Sequence, residues 1–380
     1  MTWHAEVENL VIGGGLAGSM LAIRLAQAGR SVTLVEKQRG PHDKVCGEFL
    51  SMEAVCYLRH AQVSPASLGA VPIHSLRLSS GRKVVEAELP FRALSLSRRI
   101  LDGAMLARAE ELGCRVLAGV CVQGLASRGN AWLANLKHGE SISAQNVFVA
   151  TGKHDLHDLP RGRGLQSDLI GFKVYFRLAP APARELQNFM ELFLFCDGYG
   201  GLSLVESDIA NFCLVVRRNA WRKACTWSKL LSGILSENRR LCQLLEGATP
   251  IWPRPLAVSP IPYGYIAAGM GALWRIGDQA AVIPSFTGDG MSIALHSGAL
   301  AAQNFLAGST ADQYLAQLRS QLKRPMWLAT WLSRAMVTAP GRGIALLALP
   351  FFPKPLRWIA ASTRIPAPTL LADRPIPASD

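Results

Sequence analysis

The chain has 380 residues, 49% of them hydrophobic, and a net charge of +13. That length holds one large domain or two interleaved ones with ample core, and the hydrophobic content excludes a disordered chain. The charge suits an anionic partner. No nucleic-acid module is present, so a membrane surface or an acidic carrier is the expected one.

Eight cysteines (Cys46, Cys56, Cys114, Cys121, Cys196, Cys213, Cys225, Cys242) occur without CxxC pairs. This is the pattern of reduced, mostly buried thiols in a cytoplasmic protein rather than a disulfide frame or zinc site. Met1 to Glu6 carry no basic and apolar signal pattern, and no apolar stretch is long enough to span a bilayer.

Asn9 to Ile12 is a short apolar run that leads into Gly13-Gly-Gly15-Leu-Ala-Gly18. A helical pattern follows from Ser19 to about Ala28, closed by Gly29-Arg30, and Ser31 to Glu36 reads as a second strand ending in an acid. Strand, glycine turn, helix, strand and acid in this order predict a dinucleotide site. Gly13 permits the tight turn, Gly15 lets the backbone approach a pyrophosphate, and Gly18 brings the helix against the strand. The helix N-terminus offers unpaired N–H groups to the phosphates. Glu36 accepts from a ribose diol and disfavours a 2′-phosphate.

A basic loop from Lys37 to Lys44 leads to Cys46-Gly47-Glu48, and Ser51 is placed to cap a helix. Residues 73–96 alternate as two or three antiparallel strands, and Ser97-Arg98 opens an amphipathic helix to Leu112. Residues 120–136 suggest a hairpin turning at Arg128-Gly-Asn130, and Asn146 to Val149 a buried strand running into Ala150-Thr151-Gly152. The middle third is strand-rich, with one helical passage from about Trp221 to Leu245 and a hairpin bent at Gly198-Tyr199-Gly200-Gly201. Gly277-Asp278 then repeats the strand-to-turn idiom, and Pro284 with Gly288-Asp289-Gly290-Met291 enters another helix. From Ala311 the chain is helical, with breaks at Pro325, Pro340 and Pro353. Its apolar stretches Met326 to Met336 and Ile344 to Trp358 lie in a membrane interface or cap the main body.

Three separated pieces agree: the glycine turn with Glu36, Arg98 with Asp102 at a helix start, and Gly277-Asp278 with Pro284 and Gly288-Asp289-Gly290. Together they resemble the FAD-dependent oxidoreductases that include para-hydroxybenzoate hydroxylase, geranylgeranyl reductase and the flavin-dependent halogenases. The resemblance covers about residues 5–310, and Cys46-Gly47 is similar to the geranylgeranyl reductase-like branch. It implies an α/β fold in which a Rossmann-type FAD-binding domain (1–72, 97–160 and 266–310) is interleaved with an antiparallel β-sheet substrate domain (73–96 and 161–265). A C-terminal helical region (311–380) follows. It further implies noncovalent FAD held by Gly13, Gly15, Ala17, Gly18, Glu36, Lys37, Cys46, Gly47, Arg98, Asp278, Pro284, Gly288, Asp289, Gly290 and Met291. Asp278 serves the ribityl hydroxyls, Arg98 the pyrophosphate or ribityl oxygens, and the helix at Gly288 to Gly290 the N1–C2=O edge of a reduced ring.

As catalytic candidates, Cys46 can touch the ring, Glu48 relay a proton and Tyr199 line the substrate face. Each has a plain alternative: a small packed hydrophobe, a loop ion pair, a core aromatic. His154, Asp155, His157 and Asp158 sit in a surface-type loop and are not expected to hold a metal. His296 is expected to be packed rather than a base. The halogenases' Trp-x-Trp-x-Ile-Pro is absent, so halogenation is not expected. Ala150-Thr151-Gly152 stands where the hydroxylases carry Ala-Asp-Gly, which leaves the electron donor open between NAD(P)H and a separate reductase. The expected activity is a monooxygenase hydroxylating or epoxidising an apolar or aromatic, specialised-metabolism or carrier-bound substrate. The alternatives are a dehydrogenase or reductase of a C–C or C–N bond, and a protein that binds FAD without catalysis.

Overall fold

A computed structural model describes residues 4–129, 131–137, 139–269, 271–338, 340–341, 343 and 361–371. The first three residues, Asn130 of the expected hairpin turn, the apolar stretch Ile344 to Trp358 and the Pro353 break lie outside the described residues.

Strand β1 (His4–Ile12), helix α1 (Leu16–Gln27) and strand β2 (Val32–Glu36) form the opening unit. All five β2 residues are buried, as a strand covered on both faces requires. The helix begins at Leu16, ahead of the Ser19 expected from its pattern, because Gly15 is its extended N-cap. Next come β3 (Phe49–Leu50) and α2 (Met52–His60). Ser51 precedes α2 but makes no capping bond; its hydroxyl meets Ser292 Oγ at 2.7 Å instead. Two long strands, β4 (Val71–Ser80) and β5 (Lys83–Ser95), lead to α3 (Arg98–Glu111), where Ser97 Oγ accepts from Ile100 N–H. Then follow β6 (Arg115–Ala118), the hairpin β7 (Val122–Arg128) and β8 (Ala131–Leu136), and β9 (Ser141–Val149).

The middle of the chain supplies β10 (Leu169–Arg177), α4 (Pro180–Leu186), β11 (Asn188–Phe195), β12 (Gly198–Val205) and β13 (Ile209–Arg217). The bend between β11 and β12 is Cys196-Asp197, with Asp197 at φ 61°, so the expected turn at Gly198 to Gly201 is corrected. Those residues lie inside β12. A Cβ on Gly198 would collide with Val215 O, and one on Gly200 would stand 2.9 Å from Leu214 Cβ, so these glycines admit the neighbouring strand. The helical passage divides into α5 (Arg218–Ala224), α6 (Trp227–Glu237) and α7 (Arg239–Leu244). Five short strands follow: β14 (Thr249–Pro250), β15 (Leu256–Val258), β16 (Tyr265–Ile266), β17 (Trp274–Arg275) and β18 (Ala281–Val282). Two long helices, α8 (Gly290–Leu306) and α9 (Ala311–Met336), complete this set. Pro325 does not break α9. Its flank of buried Leu318, Leu322, Met326 and Ala329 offsets a proline cost of about 3 kcal/mol.

The first sheet has the order β6-β2-β1-β9-β8-β7, parallel from β6 to β9, with β17 also parallel to β9. The second has the order β14-β10-β13-β12-β11-β4-β5-β3, mostly antiparallel, with β11 and β4 parallel. One core packs α1, α2, α3, α8 and α9 on the first sheet through Leu21, Leu58, Met105, Leu300 and Leu318. Another packs α6 and α7 on the outer face of the second sheet through Phe172, Phe193, Phe212, Ile234 and Leu241. The chain crosses between sheets after β2 and after β9, and both crossings leave from carboxyl ends of parallel strands, where open α/β sheets bind ligands.

Candidate functional site

A cavity of about 910 Å³ lies between the two sheets. That is the upper part of the range for small-molecule sites, about 300–1,000 Å³. Its wall includes Gly13, Gly15, Ala17, Glu36 and Lys37 from the opening unit, Cys46, Gly47 and Glu48 from the following loop, and Arg98 at the start of α3. Asp278, Gly288, Gly290 and Met291 join it from the far end of the sequence, and Tyr199 from β12. Residues separated by most of the chain thus share one hollow.

The first turn is built for a diphosphate. Gly13, at φ 110°, donates to Val35 O at 2.8 Å, and a Cβ there would collide with Ala150 O. Only glycine serves. A Cβ on Gly15 would instead face open space bounded by Arg98 Nη2 and Lys44 Nζ, each 3.6 Å away. Two cations and the positive end of α1 therefore converge on one spot beside backbone with no side chain. Asp102 holds both cations, Lys44 at 2.7 Å and Arg98 through Nε at 2.8 Å and Nη2 at 3.0 Å. Burial would raise the Asp102 carboxyl, but the two cations keep it below the usual range. Arg98 consequently meets the cavity already oriented by Asp102, with Nη2 directed beside the space at Gly15. Glu36 accepts from Gly14 N–H at 2.8 Å and Gln38 N–H at 3.0 Å, which orients its carboxylate while lone pairs remain for a diol.

Gly18 is not in the wall: its missing side chain leaves room for Gly13 O, Val11 and Ala150, so it packs helix on strand. Pro284 is not in the wall either. It opens the short turn Ser285–Thr287, and its carbonyl accepts from Thr287 Oγ1 at 3.0 Å, while Ile283 and Ser285 on each side do line the cavity. Asp289 is the third cofactor candidate outside the wall. Its carboxyl is buried beside Arg364 Nη1 at 3.5 Å, because that cation and Glu53 lie under the start of α8. Burial and nearby Glu53 push it up to about 7 against the pull of Arg364.

Asp278 sits in the turn Gly277–Gln279, with Lys153 Nζ 3.6 Å from its carboxylate. Arg161 donates to Asp278 O at 3.1 Å, Lys153 O at 2.8 Å and Asp155 Oδ1 at 2.6 Å. Gln279 Nε2 donates to Gly152 O at 2.9 Å. The turns after β9 and β17 are therefore one unit. Asp155 is engaged by this clamp and His157 by Asp158 at 3.0 Å.

The loop before β3 carries the chemistry-bearing candidates. Glu48 is fully buried at φ 58°, and its carboxylate accepts from Lys173 Nζ, Tyr175 OH at 2.9 Å and Arg98 N–H at 2.8 Å. Burial raises its carboxyl while Lys173 opposes the rise. So saturated a carboxylate anchors the loop rather than relaying protons freely. Cys46 O accepts from Asn211 Nδ2 at 3.1 Å, and Val45 O from Lys153 Nζ at 3.1 Å, so both sheets hold the loop. Nothing lies within 4 Å of a Cβ placed on Gly47. Tyr199 is buried, with its ring edge-on to Phe286 at 5.9 Å, its hydroxyl 3.4 Å from Ser333 Oγ and its phenol raised by burial. His296 is packed: Nδ1 meets Tyr57 OH at 2.6 Å and Nε2 meets Gln321 Oε1 at 2.7 Å, and burial lowers it to about 4.

Sequence reasoning missed Lys173 and Tyr175, which sit inside an apolar strand run. A lysine in that run was the available signal. It also missed Lys44 as a cation at Gly15, and Thr363 with Arg364, which reach the cavity from the last described segment. All eight cysteines are free, but Cys196, Cys225 and Cys242 are exposed, which corrects the expectation of mostly buried thiols. Among the described residues no helix is long and apolar enough to cross a membrane.

The glycine cradle at Gly15, the oriented Glu36 and the open start of α8 suit FAD: cations and N–H groups for its diphosphate, a carboxylate for its ribose, and an elongated remainder for its ring. Residues 6–154 match the FAD binding domain family. The menaquinone reductase of Mycolicibacterium smegmatis is 27% identical over 325 residues, covering 81% of this chain and 78% of that protein. In fold, the flavin-dependent brominase Bmp2 aligns with TM-score 0.75 at 16% identity, over 97% of this chain and 96% of its own. A flavoprotein/dehydrogenase from Cytophaga hutchinsonii aligns with TM-score 0.75 at 15% identity, over 94% and 92%.

Proposed function

As a member of the FAD-dependent oxidoreductase superfamily, this chain has a flavin at its disposal, and we propose that it uses it as a reductase of a large apolar substrate such as an isoprenoid quinone. The observation that carries this reading is the apolar half of the cavity. Leu76, Leu78, Leu192, Leu194, Ile261 and Phe286 line it, a wall that offers a polar substrate little to bond with. The similarity to a protein named menaquinone reductase supports reduction ahead of oxygenation.

Bound FAD supplies the two-electron chemistry. The N-terminus of α1, with Lys44 and Arg98, holds the diphosphate, and Glu36 orients the ribose. Backbone N–H groups at Gly290 and Met291, at the positive end of α8, favour negative charge on the facing ring edge. The apolar wall excludes water, and Tyr199 keeps a proton at Oη within that wall because burial holds the phenol neutral. Monooxygenation of the same apolar class is the second reading, since a dry wall also shelters oxygen chemistry.

One experiment separates the two. Protein reduced anaerobically is mixed with menaquinone. Reoxidation of the flavin without oxygen, with product heavier by two hydrogens, is the expected result. No anaerobic reoxidation, together with an oxygenated product once air is admitted, would replace the reductase with a monooxygenase. The electron donor, NAD(P)H or a separate reductase, is read from which one bleaches the flavin.

A further inference from the structure

The exposed side of α9 is unusual in composition. Between Arg319 and Met336 there is no Asp or Glu, while Arg319, Lys323, Arg324 and Arg334 are all exposed. Among these cations stand two large aromatics, Trp327 at 63% and Trp331 at 59% relative exposure. Lys323, Trp327 and Trp331 follow one another at i, i+4 spacing, so they share a face, and Arg324 and Arg334 flank it. Arg334 donates to Leu165 O, which brings another exposed apolar side chain to the same patch. The opposite side of α9 is spent on the main core, so helix formation does not demand these tryptophans. Single exposed hydrophobics need no explanation, but a tryptophan pair in an acid-free basic stripe does.

This face is continuous with the cavity. Trp331, Leu332, Ala335 and Met336 line the same hollow as Gly15 and Tyr199, and Trp331 does so while remaining largely exposed, which places it at the opening. We propose that the Lys323–Trp331 face of α9 docks the protein on an anionic lipid bilayer with the cavity opening against the membrane. Tryptophan rings settle at the headgroup level, and each Lys or Arg near an anionic surface adds electrostatic attraction. Charge complementarity selects this occupant: the chain carries a net +13, and the stripe itself holds no acid. The geometry lets an apolar molecule pass from lipid into the apolar half of the cavity without crossing water. That delivery role rests on the apolar-substrate reading; the docking itself does not.

The test uses the full chain with FAD and vesicles of either pure phosphatidylcholine or equimolar phosphatidylcholine and phosphatidylglycerol. The wild type is expected to co-sediment with the anionic vesicles, with binding falling as salt rises. The double variant Lys323→Glu/Arg324→Glu is expected to lose about tenfold or more in affinity, and Trp327→Ala to lose several-fold at equal charge. Both variants should reduce detergent-dispersed menaquinone like the wild type and fall behind only when it is embedded in vesicles. Absence of wild-type binding, equal binding to pure phosphatidylcholine, variants that bind like wild type, or retention on heparin without vesicle binding would each overturn the docking. A wild type that binds anionic vesicles but reduces no quinone leaves the docking standing and removes the reductase reading instead.

Discussion

Gly13 and Gly15 are two residues apart and do different work, which makes them separable. Gly13→Ala forces a side chain at φ 110° into Ala150 O and is expected to destabilise the fold itself. Gly15→Ala adds a methyl only into the space before Arg98 and Lys44, so the apoprotein should melt as before while FAD affinity falls at least tenfold. Thermal melts and flavin titration of both variants check this, and normal FAD binding by the Gly15→Ala protein would remove the phosphate cradle. Lys173 poses a different problem, that of a buried charge. Lys173→Met leaves Glu48 without its counter-ion and should cost about 3–5 kcal/mol in urea unfolding. Adding Glu48→Gln should recover part of that loss, because the two share one network. A loss in the double variant equal to the sum of the losses in Lys173→Met and Glu48→Gln measured singly would mean that the pair is not coupled.

At the level of elements, the start of α8 gathers charge from distant pieces. Glu53 of α2 and Arg364 of the last described segment surround Asp289, with Arg364 Nη1 2.7 Å from Glu53 Oε2. The Asp289 carboxyl is raised by burial from 3.8 to about 7, so the folded state holds its proton more tightly than the unfolded chain does. The stability this contributes is complete below about pH 4 and is lost as pH rises towards 7, by at most about 1.4 kcal/mol per pH unit. Asp289→Asn removes the titration. The wild type should therefore lose stability relative to the variant between those limits and run parallel to it above them, as urea midpoints across pH would record. Parallel curves throughout would show that Asp289 is ionised in the native protein.

For the whole molecule, the cavity touches both sheets, the loop between them, α8 and the 363–364 segment, so a ligand filling it ties these parts together. FAD at one hundred times its dissociation constant should add about 2.7 kcal/mol to unfolding. Removing it should lower the melting temperature and raise proteolysis of the Lys37–Glu48 loop first. A melting temperature indifferent to FAD would place the ligand elsewhere. The opening unit, the acid at the end of β2, the start of α3 at Ser97-Arg98 and the β7–β8 hairpin were all legible beforehand, since each is set by local spacing, whereas the cap expected at Ser51 was not made. What local spacing could not settle was which partner a side chain would choose across the fold. Asp289 went to Arg364, Glu48 found Lys173 on β10, far along the chain in the sheet that its own loop enters, and the glycines of β12 made room for a neighbouring strand. Burial and pairing across the chain decided these, because an ion in a low-dielectric interior takes whatever counter-charge the tertiary structure sets beside it.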